Sequence, residues 1–213
     1  RIDAETYCLG AFNPGMTRLP NGNLLMMVRI AEALKTPIVD QKIHSLRWVP
    51  SDGTAPDAGR YCLDPWPLEM VDTADPRKFM MRGGGWKVMA LTSLSWLLPV
   101  ELDAEGRSVV DVHYRDAIAP RASYQCYGVE DARISRIGNR WLMTTCSVSP
   151  ERHSTTLYSS NDARDWLLSS SHPEYLFSLE PHALADYAAM CRYHQTSPQS
   201  SFTQKRVCTL ATP

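Results

Sequence analysis

The chain has 213 residues, of which 44% are hydrophobic and 21% charged, and its formal net charge is −1. This composition is that of an ordinary globular protein with one core or two small ones. The small net charge gives no electrostatic reason to expect a nucleic acid or an anionic membrane as partner. No apolar run approaches the ~20 residues that span a bilayer, so we expect no membrane segment.

The six cysteines and six histidines show no metal-binding or redox spacing. No CxxC pair occurs, and no cysteines and histidines follow a zinc-finger pattern. We therefore expect reduced, mostly buried thiols, a cytoplasmic location and no metal or organic cofactor, with a disulfide as the alternative. The chain starts with Arg1 and shows no secretory signal, so we expect it to begin inside a longer polypeptide.

The first 166 residues read as strands joined by tight turns. Hairpins are predicted over 16–30, where an Asn-Gly pair supplies the turn, over 97–113 and over 131–148. The stretch 51–85 is rich in Pro, Gly and Asp and predicts loops with one short strand at most. Trp66 falls in that loop region and is the best tryptophan candidate for stacking on a sugar ring. Successive hairpins predict an all-β repeat architecture such as a β-propeller.

The chain changes character near residue 170. The serine-rich stretch 169–173 resembles a junction, Ala183 to Tyr193 has one apolar helical face, and Arg206 to Ala211 is strand-like. We therefore expect two domains, residues 1–168 and 169–213, the second a short mixed α/β C-terminal tail.

The segment Glu130-Asp131-Ala132-Arg133 carries the clearest chemistry. On a regular strand, alternation would place Asp131 and Arg133 on one face and Glu130 and Ala132 on the other. An acid beside a guanidinium can donate a proton to a glycosidic oxygen while the arginine holds a hydroxyl or an anion. The alternative is a structural ion pair on a sheet face.

Two upstream pieces bear on that choice. Phe12-Asn13-Pro14-Gly15 is predicted as a turn, and Arg29 is predicted to end the apolar strand that begins at Leu24. An arginine at that position needs a partner or an open cleft. Taken singly, each piece is more often structural: a turn asparagine, and an arginine at the solvent-exposed end of a strand.

In this order, the three pieces resemble glycoside hydrolase family 130, the inverting β-mannoside phosphorylases and β-mannosidases. The resemblance covers about residues 7 to 167 and rests above all on the Gly-Val-Glu-Asp-x-Arg-Ile strand at 128–134. It implies a five-bladed β-propeller. At ~40–60 residues per blade, the matched region holds about three blades, so we expect an incomplete propeller whose open edges favour a homo-oligomer.

The resemblance also implies residue roles. Asp131 would be the general acid, Asn13 and Arg29 would contact the mannose, and Arg133 would orient Asp131 or bind the ligand. The implied reaction cleaves a β-mannoside, such as a manno-oligosaccharide, with inversion. Inorganic phosphate would be the co-substrate in phosphorolysis, and water would attack in hydrolysis. The sequence leaves this choice open, and it leaves a non-catalytic sugar-binding or structural propeller fragment as the alternative.

The tail resembles a second family. Residues 171–213, and above all Thr196-Ser197-Pro198-Gln199-Ser200-Ser201-Phe202, are similar to arylamine N-acetyltransferases. That family uses acetyl-coenzyme A and a Cys-His-Asp triad, but no triad can be assembled from residues 170–213. An acetyltransferase fragment is therefore the weaker functional hypothesis. A fusion and a divergent propeller blade are the two interpretations of the tail.

Overall fold

The computed structural model describes residues 5–51, 59–84, 88–151, 153–169, 176–177, 188, 192 and 196–198. The chain divides into two compact units, Arg1–Ser178 and Leu179–Pro213. In the described parts of the chain, no helix is both long enough and apolar enough to cross a membrane.

The first unit consists of strands, with two short 3₁₀ helices at Tyr114–Asp116 and Ser123–Gln125. The strands are β1 (Thr6–Arg18), β2 (Leu24–Leu34), β3 (Ile38–Val39), β4 (Lys42–Pro50), β5 (Gly59–Pro67), β6 (Val71–Asp72), β7 (Lys78–Met81), β8 (Val88–Leu91), β9 (Ser93–Leu102), β10 (Val109–Val112), β11 (Gly128–Ile137), β12 (Arg140–Val148), β13 (His153–Ser160), β14 (Leu167–Leu168) and β15 (Leu176–Phe177). The predicted all-β character of this unit is confirmed.

The largest sheet has the order β1-β2-β9-β11-β12-β13-β14, with β10 paired to β9 and β15 paired to β13. Most of its strand pairs are long and antiparallel, but β9 and β11 meet in parallel at one residue pair, Ser95 and Gly128. Gly128 has φ +129, and an added Cβ would lie 2.5 Å from the Ser95 backbone. Only glycine therefore fits this junction, which we call the seam.

Two smaller sheets, β3-β4-β5 and β6-β7-β8, fill the sequence between β2 and β9. The main core packs across the seam and includes Met27, Leu97, Val129 and Met143. A second core joins the smaller sheets to β12 and to the segment that precedes β11. These two cores hold both sides of the seam in place through burial of apolar surface.

The three predicted hairpins are confirmed: they correspond to β1–β2, β9–β10 and β11–β12. The glycines in two of the turns, Gly22 and Gly138, have φ values of +91° and +59°. Turns of this kind need a residue that tolerates positive φ, which is why the turn chemistry located them.

The prediction of loops over 51–85 is wrong, because β5, β6 and β7 lie there. Strand β5 contains Pro65 and Pro67 and is the edge of its sheet. Two prolines at alternate positions direct their nitrogens to the same side of the strand, and the free edge is where a missing N–H costs nothing. Trp66 therefore lies on a strand and not in a loop.

The second unit is described at few positions. Ala188, Arg192 and Thr196 are helical, and Thr196 Oγ1 donates a hydrogen bond of 2.7 Å to the Arg192 carbonyl. The remainder of the helix predicted over Ala183 to Tyr193, and the strand predicted over Arg206 to Ala211, lie outside the described residues.

Candidate functional site

Two β-bulges shape the site. In the β1–β2 pair, Phe12 is opposite Arg29 and Gly15 is opposite Met27, so Asn13 and Pro14 share one partner. In the β11–β12 pair, the same irregularity occurs between Glu130 and Arg133. Asn13 (φ 38°) and Asp131 (φ 52°) both have left-handed backbone conformations. Asparagine and aspartate tolerate this region better than most residues, and bulges of this kind redirect side chains.

The bulge on β11 overturns the prediction of simple alternation. Val129 and Ala132 are both buried in the main core although they are three residues apart. The extra residue leaves Glu130 and Asp131 together on the other side, where both contact Arg29. Asp131 and Arg133 therefore do not form the predicted pair on one face.

The two bulges contact each other. Asn13 Nδ2 donates a hydrogen bond of 2.9 Å to Asp131 Oδ1. An added Cβ at Gly15 would lie 2.5 Å from the carbonyl oxygen of Ala132. The absence of a side chain at Gly15 thus lets β1 approach the bulge that carries Asp131. The predicted turn at residues 12–15 is wrong in type, since these residues are a bulge inside β1.

Arg29 connects the carboxylates. It lies in the middle of β2, and not at the strand end as predicted, and its face of β2 also carries the core residue Met27. Arg29 Nη2 donates to Glu130 Oε1 at 2.7 Å, Nη1 donates to Asp131 Oδ1 at 3.3 Å, and Nε donates to Ser95 Oγ at 3.1 Å. Ser95 Oγ in turn donates to Glu130 Oε1 at 2.9 Å. The planar fork of arginine is what allows one side chain to hold all three partners.

The members of this group differ in their exposure. Relative exposure of the side chain is 13% for Glu130, 21% for Arg29 and 39% for Asp131. The Phe12 ring lies over the guanidinium at 5.8 Å, within cation–π range. Asp131 is thus the acid that an external ligand can reach, whereas Glu130 lies behind it.

The pKa of Glu130 is raised, because burial disfavours its charged form. Arg29 and the hydrogen bond from Ser95 oppose this rise, while the neighbouring Asp131 adds to it.

Arg133 behaves differently from the other predicted site residues. Its Nη1 donates to the carbonyl of Ala132 at 2.7 Å. Within the described residues it forms no hydrogen bond or ion pair with Asp131. No direct contact with Asp131 therefore supports the expected role of Arg133 in orienting that acid. Its role in ligand binding stays a prediction.

Sequence reasoning missed two members of the site. Glu130 was placed on the opposite face because the bulge was not foreseen. Ser95 lies in an apolar strand with no motif around it. The β2–β9 pair, in which Ser95 is opposite Ala31, brings it to Arg29, and the seam brings it to Glu130. The adjacency of two acids in a strand was the one available signal.

A cleft of about 1070 Å³, which is not lined by Asn13, Arg29 or Asp131, lies beside β4 and β5. Trp66 and Tyr127 contribute to its walls, and Arg47 donates to both oxygens of Asp64, at 2.6 and 3.0 Å. Trp66 is half-buried, and its Nε1 donates to Ser45 Oγ at 3.0 Å. A stacking role for Trp66 stays a prediction. Among the described residues, no group of three or more His, Cys, Asp or Glu side chains is arranged to hold a metal ion.

Different parts of the chain are similar to different known proteins. The sequence model of the N-acetyltransferase family matches residues 138–213, about a third of the chain, and begins well before the expected junction near 169. The arylamine N-acetyltransferase, pineal gland isozyme, of Gallus gallus is 55% identical over 38 residues, which are 18% of this chain and 13% of that protein.

The larger part resembles a different protein. The β-1,2-mannobiose phosphorylase of Listeria innocua is 28% identical over 141 residues, which are 66% of this chain and 38% of that protein. The solved structure of the Listeria innocua enzyme with β-1,2-mannobiose matches with a TM-score of 0.68 and 23% identity, covering 79% of this chain and 45% of that one. The chain thus spans less than half of the phosphorylase and about an eighth of the acetyltransferase. Over most of its length, it shares the fold of part of a β-1,2-mannobiose phosphorylase.

Proposed function

We propose that residues 7–167 form a β-mannoside site of a carbohydrate-active enzyme, in which Asp131 is the general acid. The observation that carries the proposal is the contact of Asn13, Arg29 and Asp131. These residues come from three strands and are separated by up to 118 positions in the sequence. A structural ion pair would not need an exposed acid held by two donors.

The geometry suits proton donation. Both Asn13 and Arg29 bond Oδ1 of Asp131, and no donor among the described residues contacts Oδ2. A proton on Oδ2 can therefore pass to the oxygen of the leaving sugar as the glycosidic C–O bond breaks. As this bond breaks, phosphate bonds to the anomeric carbon from the opposite face, which inverts its configuration. In hydrolysis, water bonds there instead and releases a proton to the solvent.

The likeness to the solved phosphorylase structure supports a proposal about the architecture of the first unit. We infer that the first unit is a part of a β-propeller, with the sheets on the two sides of the seam as neighbouring blades. The domain proposal is that residues 1–168 form this part and that 169–213 have a separate origin. The acetyltransferase match supports a separate origin for the tail, although it extends back to residue 138.

The direct test measures products from β-1,2-mannobiose with and without inorganic phosphate. Mannose 1-phosphate would indicate phosphorolysis, and mannose alone would indicate hydrolysis. In Asp131→Asn we expect turnover to fall by about 10²–10⁴-fold, the contribution typical of a general acid. Asp40→Asn is the matched control, because Asp40 has the same left-handed conformation (φ 48°) in an exposed turn.

Wild-type rates in Asp131→Asn would refute the assignment of the acid. Saturable mannobiose binding by calorimetry without any product from the wild type would favour the non-catalytic alternative. Acetyl transfer from acetyl-coenzyme A to an arylamine is the second candidate function, favoured by the family match alone. Its test is the release of free coenzyme A.

A further inference from the structure

We propose that Glu130 is a positioning residue that neutralises Arg29 and thereby allows Asp131 to keep its proton until the substrate takes it. The inference rests on the proposed function of Asp131 and adds a role for its neighbour. An acid that contacts an arginine loses its proton easily, because the positive charge favours the carboxylate. A general acid in this position needs a device that reduces the influence of the arginine.

The contact distances supply that device. Arg29 is closer to Glu130 (2.7 Å) than to Asp131 (3.3 Å). Short charge-assisted bonds are the stronger ones. Ser95 bonds both Arg29 and Glu130, so its hydroxyl closes a ring of three side chains from β2, β9 and β11. Arg29 is therefore held on Glu130, and Asp131 receives the weaker contact.

Burial strengthens the difference. Of the three charged side chains, Glu130 is the least exposed and Asp131 the most exposed. Ion pairs shielded from water are screened less than exposed ones. The Arg29–Glu130 pair consequently acts as a nearly neutral unit beside Asp131, so the acid experiences little net charge from it.

The other groups around Asp131 do not change this balance. Asn13 on β1 is uncharged. Cys146 on β12 interacts electrostatically with Glu130 and Asp131, and burial raises the pKa of its thiol to about 11, so it is neutral at physiological pH. Arg133 bonds the Ala132 carbonyl instead of Asp131. Among the described residues, Arg29 is the charged group that contacts Asp131, and Glu130 is the charge paired with Arg29.

The test is the pH dependence of mannobiose turnover in Glu130→Gln. Glutamine keeps an oxygen acceptor for Arg29 and Ser95 but carries no charge. Activity that depends on a protonated acid falls as the pH rises, which gives the alkaline limb of the profile. In Glu130→Gln, Arg29 has no second carboxylate to pair with, so this limb should move to lower pH by about one to three units. Glu105→Gln, in an exposed turn, should leave the profile unchanged. An unmoved limb in Glu130→Gln would overturn the inference.

A double-mutant cycle over Arg29 and Glu130 separates the electrostatic role of Glu130 from a structural one. Adding Arg29→Gln to Glu130→Gln removes both charges, so the titration of the Asp131 carboxyl, followed by carbon NMR, should return to its wild-type midpoint. A merely structural Glu130 predicts no such return. The NMR readout needs no turnover. If Asp131→Asn keeps its activity, the proposed function fails, and if only the cycle fails, the role of Glu130 is wrong.

If Glu130→Gln does not fold, two single variants, Glu130→Asp and Ser95→Ala, test whether the charge of Glu130 controls the titration of Asp131. Glu130→Asp keeps the charge and should preserve the titration midpoint. Ser95→Ala removes the bridge but no charge, so it should lower the rate without moving the alkaline limb. A shift of the limb by more than one unit in either variant would contradict the inference.

Discussion

Gly15 should be a sensitive position outside the charged group. In Gly15→Ala, the new Cβ would lie 2.5 Å from the Ala132 carbonyl oxygen and 2.8 Å from its carbon. An ordinary contact begins at 3.4 Å, so β1 and the bulge must separate by about 0.9 Å. The obstacle is backbone, which cannot rotate away as a side chain would. Overpacking of this kind costs about 1–3 kcal/mol of unfolding free energy.

The same displacement reaches the acid, because Ala132 follows Asp131 in the bulge. A misplacement near 1 Å can lower catalysis by about 10²-fold. We expect Gly15→Ala to lower both the urea midpoint and the turnover of β-1,2-mannobiose. Gly138→Ala is the control: it strains a turn with φ +59°, but its Cβ would contact nothing within 4 Å. It should lose stability and keep its rate per folded molecule.

If Gly15→Ala unfolds at the wild-type urea concentration and turns over substrate within about twofold of wild type, the contact between the bulges does not determine the position of Asp131. A loss of rate per folded molecule in Gly138→Ala as large as that in Gly15→Ala would show that general destabilisation explains the effect.

Two further predictions concern buried ionisable groups. Hydrogen bonds from Asn23 and Asn21 hold the pKa of Glu101 below its usual 4.5, so its stabilising contribution is complete above that pH and is lost as the pH falls through the folded-state value. Glu101→Gln should lower the unfolding free energy by about 1.5–3 kcal/mol at neutral pH and by less at acidic pH. Urea titration of both proteins at several pH values measures this difference. A difference that does not change with pH would contradict the prediction. Burial raises the pKa of the Cys126 thiol to about 12, whereas Cys8 is exposed, so iodoacetamide at pH 8 should label Cys8 before Cys126. Mass spectrometry measures the two rates, and equal labelling of these two thiols would contradict the prediction.

Local turn chemistry predicted much of the fold. Asn-Gly and Gly-Asn pairs located the hairpins because positive φ is a local requirement that the sequence displays directly. Strand β5 was missed because prolines normally signal loops, and its position at a sheet edge is a property of the tertiary structure. A strand tolerates proline when it lies at a sheet edge, and the residues around the proline do not show where the strand lies in the sheet.

The site was harder to predict than the hairpins. The grouping of Asn13, Arg29 and Asp131 came from a family resemblance, since contacts over more than a hundred residues leave no trace in local periodicity. The bulge at Asp131 reversed the expected faces, because one inserted residue changes the side of everything beyond it. Glu130 and Ser95 then became visible only in three dimensions.

The seam between β9 and β11 gives the site an unusual dependence on assembly. Ser95 forms the backbone pair that joins the two sides, and its hydroxyl also bonds Arg29 and Glu130. One side of the seam carries the arginine and the other carries both acids. The alignment of Asp131 therefore persists only while the two sides remain docked, so a local opening that leaves every strand intact would already separate it from Asn13 and Arg29. A ligand bound across the seam would act as a cross-link and would stabilise the docked arrangement by mass action.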